Sequence, residues 1–182
     1  MDNRITGNLL IASPALDGTA FQRSVCLVLH HDSDQVIGAV LNRPLIGHVK
    51  LNEGSAPAMT LKQSLHLGGP NVGPVFALHN CADLAEAETG VGLYMASNRK
   101  HVQRLLSDSS LNCRLIVGHV QWSVEELHAQ LNDGLWRVLP ATPAMVFEPD
   151  DEMWVDLARK ANSLHLAHMV GAKHVPRHPA LN

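Results

Sequence analysis

No run in this sequence approaches the roughly 18 consecutive apolar residues that a membrane-spanning helix needs. The first residues, MDNRITGNLLIASPALDG, have only a short apolar stretch and no basic segment leading into a long one. They are therefore read as containing no signal peptide. Cysteine is scarce as well. Cys26, Cys81 and Cys113 are odd in number, widely spaced and without a C-x-x-C pair. That argues against a disulfide frame or a cysteine zinc site, and for reduced thiols in a cytoplasmic protein. Internal repeats and low-complexity tracts are absent. At 182 residues, with 46% hydrophobic and 17% charged residues, the chain has the composition of one globular domain with a sizeable core.

Phosphate-binding fingerprints are missing too, although one segment invites the comparison. HLGGPNVGPVFALH, residues 66–79, carries Gly68, Gly69 and Gly73 with Pro70 and Pro74. A P-loop needs a Lys-Ser/Thr pair running into a helix, whose N-terminal amides hold the phosphates. Here an apolar strand pattern follows instead, so the segment reads as strand, turn, strand. Elsewhere GNLLIAS, Val25 to His30, Val36 to Asn42, VGLYMAS and CRLIVGHV read as strands. HDSD makes a hairpin of the second and third. Residues 46–60 read as a long loop. Helices are expected over 98–107 with Ser97 as cap, after the Ser123/Glu126 capping box with Gly134 as stop, and from Asp150 or Asp151 onward. Met153, Trp154, Leu157 and Ala161 fall at buried spacing on the third. Strands outnumber helices and the leading pair is antiparallel, which favours an α+β fold.

The net charge of −3 is unevenly spread. Leu157 to Asn182 has no acidic residue but carries Arg159, Lys160, Lys173 and Arg177, with His165, His168, His174 and His178. The expected organisation is one domain over residues 1–164 and a basic, His-rich tail over 165–182. In the body no helix-turn-helix, basic stripe or aromatic platform appears, which disfavours direct nucleic-acid binding.

GNLLIASPAL at 7–16, Phe21 with Ser24-Val25, and GAVLNRP at 38–44 form one set of recognisable segments. GGP at 68–70, VFALH at 75–79, LIVGHVQW at 115–122 and Trp136 form another. In this order and spacing, over about residues 7 to 160, the chain resembles the bacterial YqgE/AlgH family. The resemblance implies a bent, bifurcated mixed β-sheet closing into a pseudo-barrel, with about three helices packed outside. It implies no established catalytic activity; members are commonly described as uncharacterised or as transcriptional regulators. One segment departs from the family. Where the family reads close to G-Y-A-G-W-x-x-G-Q-L-E, this chain has GHVQWSVEELH at 118–128. Gly118, Trp122 and Leu127 match, whereas His119, Gln121, Glu125, Glu126 and His128 do not.

Among chemistry-bearing residues, Asn42-Arg43-Pro44 stands out. Pro44 biases Arg43 to an extended backbone at a strand end, where its guanidinium suits bidentate capture of an anion. The resemblance places Gly68, Gly69 and Pro70 nearby, and these six residues are the expected ligand-binding surface. Ser13 lacks any G-x-S-x-G setting and reads as a strand-terminal hydroxyl. His30, His31, Asp32 and Asp34 crowd one turn, but alternation sends the two histidines to opposite faces. His165 and His168 would share a helix face without a third ligand, so no metal or other cofactor is expected. The leading reading is a non-enzymatic regulatory module that binds a protein partner or a small anionic ligand. The alternative is a hydrolase or transferase acting on a small anionic substrate, with His79 or His119 as the base.

Overall fold

The computed structural model describes the backbone of residues 5–45 and 65–169, with side chains through residue 167. The loop expected at 46–60, and the tail beyond residue 169, lie outside the described residues. In chain order the elements are β1 (Asn8–Ala12), β2 (Val25–His31), β3 (Gln35–Val40), β4 (Leu65–Leu67), β5 (Asn71–His79), β6 (Ala87–Gly90) and β7 (Leu93–Ala96). There follow α1 (Arg99–Ser107), β8 (Cys113–Ser123), α2 (Val124–Asn132), β9 (Trp136–Pro140), α3 (Pro143–Val146) and α4 (Asp150–Met169). The strands form one curled sheet ordered β6-β7-β5-β8-β3-β2-β1-β9, with β4 as a branch on β8. The α+β class, the mixed sheet and its bend agree with expectation. A fourth helix, α3, has only four residues.

The branch explains the glycine-rich segment. The long strand β8 pairs antiparallel with β5 along one edge, and on its other edge first parallel with β4 and then antiparallel with β3. β3 and β8 therefore diverge, and β4 fills the wedge. At the tip of the wedge Gly68 donates its N–H to the Val117 carbonyl and accepts from the Val40 N–H, both at 2.8 Å. The next residues must pass from one edge of β8 to the other, directly across its backbone. A Cβ on Gly69 would stand 2.3 Å from the His119 oxygen, and one on Gly118 would stand 2.7 Å from the Asn71 oxygen. Gly118 also has φ +75°, a left-handed conformation that side chains disfavour. The crossing is a backbone-on-backbone contact, which only glycine permits.

The other end of the sheet closes in a similar way. Strand β6 curls back onto the residue leading into β1, so that a Cβ on Gly90 would lie 3.2 Å from the Gly7 Cα. This contact completes the pseudo-barrel.

Strands β1 and β2 are buried on both faces, which is why they read as unbroken apolar runs. Leu9, Ile11, Val25 and Leu27 face a core completed by α3 and α4 through Met145, Val146, Met153, Leu157 and Ala161. Leu10, Ala12, Cys26 and Val28 face the opposite core, with Leu127 of α2 and the edge-on pair Trp122 and Trp136. A third cluster under α1 joins Leu65, Ala77, Leu105 and Leu115. Helix α2 starts where the capping box predicts, Ser123 Oγ accepting from the Glu126 N–H at 3.1 Å. Helix α1 starts one residue later than expected. Asn98, not Ser97, accepts from the Lys100 N–H, because the Ser97 N–H and hydroxyl are both bound by Glu86.

Candidate ligand-binding site

The two halves of the expected surface meet at the fork. The Leu67 N–H donates to the Arg43 carbonyl at 2.8 Å, and Pro44 bridges to His66. Asn42 is buried and its amide is used at both ends: Oδ1 accepts from the Val25 N–H at 3.0 Å, and Nδ2 donates to the Arg23 carbonyl at 2.9 Å. Arg43 is half-buried. Its Nη2 donates to the Gln22 carbonyl and, at 3.2 Å, to Ser24 Oγ. It forms no ion pair with a carboxylate among the described residues. Pro44 and Pro70 are exposed, whereas Gly68 and Gly69 are buried in the crossing. The Gly68 amide is spent on β8.

His79 and His119 do not converge. They lie at opposite ends of the β5/β8 pairing, opposite Cys113 and Asn71 respectively. His79 is fully buried, and its Nδ1 accepts from the Cys81 N–H at 3.3 Å. The ring proton therefore sits on Nε2, which is buried without a well-formed partner among the described residues. Burial holds the His79 pKa below the ordinary histidine value, and the ring stays neutral. At the hairpin, His30 is exposed and contacts Asp32 at 2.9 Å, while His31 is buried and accepts from the Ile5 N–H. Asp32 caps the turn: the amide N–H groups of Asp34 and Gln35 and the His30 ring hold its carboxyl far below the usual range. Among the described residues no three His, Cys, Asp or Glu side chains are grouped to hold a metal ion.

One polar cluster was not anticipated from sequence. Arg114, on β8, is buried beneath the start of α4. Its Nε donates to the Val146 carbonyl at 3.1 Å, Nη1 to the Leu41 carbonyl at 2.8 Å and to Asp150 Oδ1, and Nη2 to the Glu148 carbonyl at 2.8 Å. His66 Nε2 lies 2.9 Å from Asp150 Oδ2 and 2.8 Å from Arg114 Nη1. His66 Nδ1 stands 3.2 Å from the Leu115 carbonyl, which can only accept, so Nδ1 carries a proton. The cluster pins the α3–α4 segment onto the fork. The only sequence signal for it was an arginine inside the apolar strand CRLIVG, since a buried charge requires partners.

A cleft of about 420 Å³ opens beside the cluster, with Asn112, Cys113, Phe147 and Glu148 on its walls. Burial pushes the Cys113 thiol up to about 11, so it is protonated at neutral pH and is a poor nucleophile. One carboxyl oxygen of Glu148 is buried without a partner among the described residues. Burial, and next the charge of Asp156, raise its pKa. Among the described residues no helix is long and apolar enough to cross a membrane.

Comparison with known proteins places this architecture. Residues 9–164 match the AlgH-like family. A UPF0301 protein of Chlorobium luteolum is 34% identical over 155 residues, covering 81% of each chain. A second, from Shewanella baltica, is 29% identical over 168 residues, covering 85% of this chain and 90% of the relative. The solution structure of the AlgH protein from Pseudomonas aeruginosa shares the fold, with a TM-score of 0.70 and 22% identity over 96% of this chain and 98% of that one. A crystal structure from Corynebacterium diphtheriae gives 0.69 and 26%, covering 87% and 88%. A sheet forked at β8, together with a family match over nearly the whole described body, shows that the chain belongs to the AlgH-like family.

Proposed function

We propose that this chain is a non-enzymatic regulatory module that binds a small anionic ligand or a protein partner along Asn42-Arg43-Pro44 and Gly68-Gly69-Pro70. In this reading any transcriptional regulation runs through that partner or ligand, not through contact with DNA. The observation that carries the proposal is Arg43. Its guanidinium is half-buried at the fork, one nitrogen anchored on a main-chain carbonyl and a hydroxyl, with no carboxylate neutralising it among the described residues. A cation held in place by neutral groups keeps its charge available to a ligand. Asn42 and Gly68 hold the shape of the strip through their own hydrogen bonds.

The test is native mass spectrometry of protein purified without additives, followed by thermal-shift titration with citrate and inorganic phosphate and by partner capture. Arg43→Ala removes two partly exposed hydrogen bonds, each worth about 0.5–1.5 kcal/mol, so the variant should fold. It should lose the stabilising response or the captured partner, and Arg43→Lys should recover only part of it. An Arg43→Ala protein that binds as well as the parent removes Arg43 from the site, and one that fails to fold makes Arg43 structural.

A further inference from the structure

We infer that Ser13, Arg137 and Asn162 form a second, separate site that takes a short-chain carboxylate. The site lies between the end of β1, strand β9 and helix α4, in a recess of about 90 Å³. Ser13 is more than nine-tenths buried and lines this recess. Its main chain is fully employed, the N–H on the Leu135 carbonyl at 2.9 Å and the carbonyl accepting from Leu16 at 3.0 Å. The hydroxyl, in contrast, is buried with no hydrogen-bond partner among the described residues. Buried hydroxyls are rarely left without a partner, so this one calls for an explanation.

The surrounding groups specify a partner. Arg137 faces Ile11 across the β1–β9 ladder, on the side covered by α4. One of its guanidinium nitrogens rests on the Gly134 carbonyl at a long 3.3 Å, and it forms no ion pair among the described residues. Arg23 stands nearby, its guanidinium carbon 5.5 Å from the centroid of the Trp154 ring, also without a carboxylate. Positive charge therefore gathers around a recess that no acidic side chain lines. Hydroxyl, guanidinium and the Asn162 amide are all able to donate, which is the demand of an oxyanion. The other walls are apolar: Ile11, Ala158 and the Trp154 ring, whose indole N–H is already taken by the Ala12 carbonyl at 2.9 Å. Such a recess suits a carboxylate with a short aliphatic stub, and excludes nucleotides or sugars.

The test uses the full chain, titrated at constant ionic strength with propionate and, separately, with inorganic phosphate, and followed by calorimetry and thermal shift. Propionate should bind and raise Tm, with phosphate at least tenfold weaker. Ser13→Ala should leave the unliganded Tm unchanged or slightly higher, since the hydroxyl has no partner to lose, while weakening propionate binding at least tenfold. Arg137→Gln should weaken it similarly. Ala158→Leu, which fills the recess without touching a polar group, should abolish it, and Arg43→Ala should leave it intact. Equal responses in all variants would mean a nonspecific ion effect and would overturn the site. So would the absence of any response, or a Ser13→Ala protein destabilised before ligand is added. Phosphate binding tighter than propionate would overturn the ligand class.

Discussion

Two polar regions flank α4, and they differ in how their donors are used. At its N-terminal end Arg114 spends its donors on three carbonyls and Asp150, and His66 Nε2 lies within hydrogen-bond distance of both Arg114 and Asp150. Toward the middle of the helix, among the described residues, the Ser13 hydroxyl has no partner and Arg137 makes one long contact. Both sets carry an arginine and one buried polar side chain at their centre, Arg114 in the first and Ser13 in the second. The first is an internal fastening: its hydrogen bonds close on themselves and define a fixed geometry. The second is open-ended, and an open-ended buried donor set is explained by a ligand. Neither the size of a recess nor the number of its polar groups separates the two cases. The accounting of donors does.

The sharpest way to break the comparison is at Arg114. Arg114→Leu leaves the Asp150 carboxylate and three carbonyls without their donor, and should cost about 3–5 kcal/mol in urea unfolding. If the loss is below 1 kcal/mol, the cluster is not a fastening. Next in size is the crossing itself. Gly118→Ala places a Cβ against the Asn71 oxygen in a left-handed backbone, with an expected cost on the order of 1–3 kcal/mol and a loss of hydrogen-exchange protection at β4.

His79 supplies a third, pH-dependent case. Its native pKa is lowered by burial, so the unfolded chain takes up a proton that the native one refuses. Its contribution is complete above the unfolded value of about 6.5, and is lost as pH falls from there toward the folded value. Stability should decline from pH 7 to pH 5, and His79→Phe should flatten that decline. An unchanged profile would place the titration elsewhere. Smallest of all is Ser13→Ala, expected within about 0.5 kcal/mol of the parent in denaturant unfolding.

The sequence carried the local parts of this architecture and not the distant ones. The hairpin of β2 and β3 follows from the apolar runs on either side of HDSD, and the cap of α2 from Ser123 and Glu126. The segment at 66–79 reads as strand, turn, strand because proline and glycine punctuate it. Its crossing over β8 has no local signature, since the parallel partner of His66 is Ile116, fifty residues on. Arg114 is hidden for the same reason: its partners come from Leu41, Val146, Glu148 and Asp150, and no spacing rule joins them. Helix α3 is too short to generate a periodicity. Ser97 and Asn98 are both sound caps by type, and Glu86, eleven residues away, decides between them. Of the expected surface residues, Arg43 and Asn42 stand out through Pro44 and the end of a strand. The donors around Ser13 do not, because Arg137 and Asn162 read as ordinary surface residues.

The position of β8 also constrains the order in which the molecule can be made. Strands β1 to β3 form one ladder and β5 to β7 another, and β8 is the strand that hydrogen-bonds to both. It is the eighth strand to leave the ribosome. A nascent chain therefore carries two unjoined sheets with raw inner edges until residue 123 has emerged, and the fork strand β4 has no lateral partner on the β8 side until then. The two ladders can be joined through hydrogen bonds only once β8 is in place, and β9 adds to β1 after it.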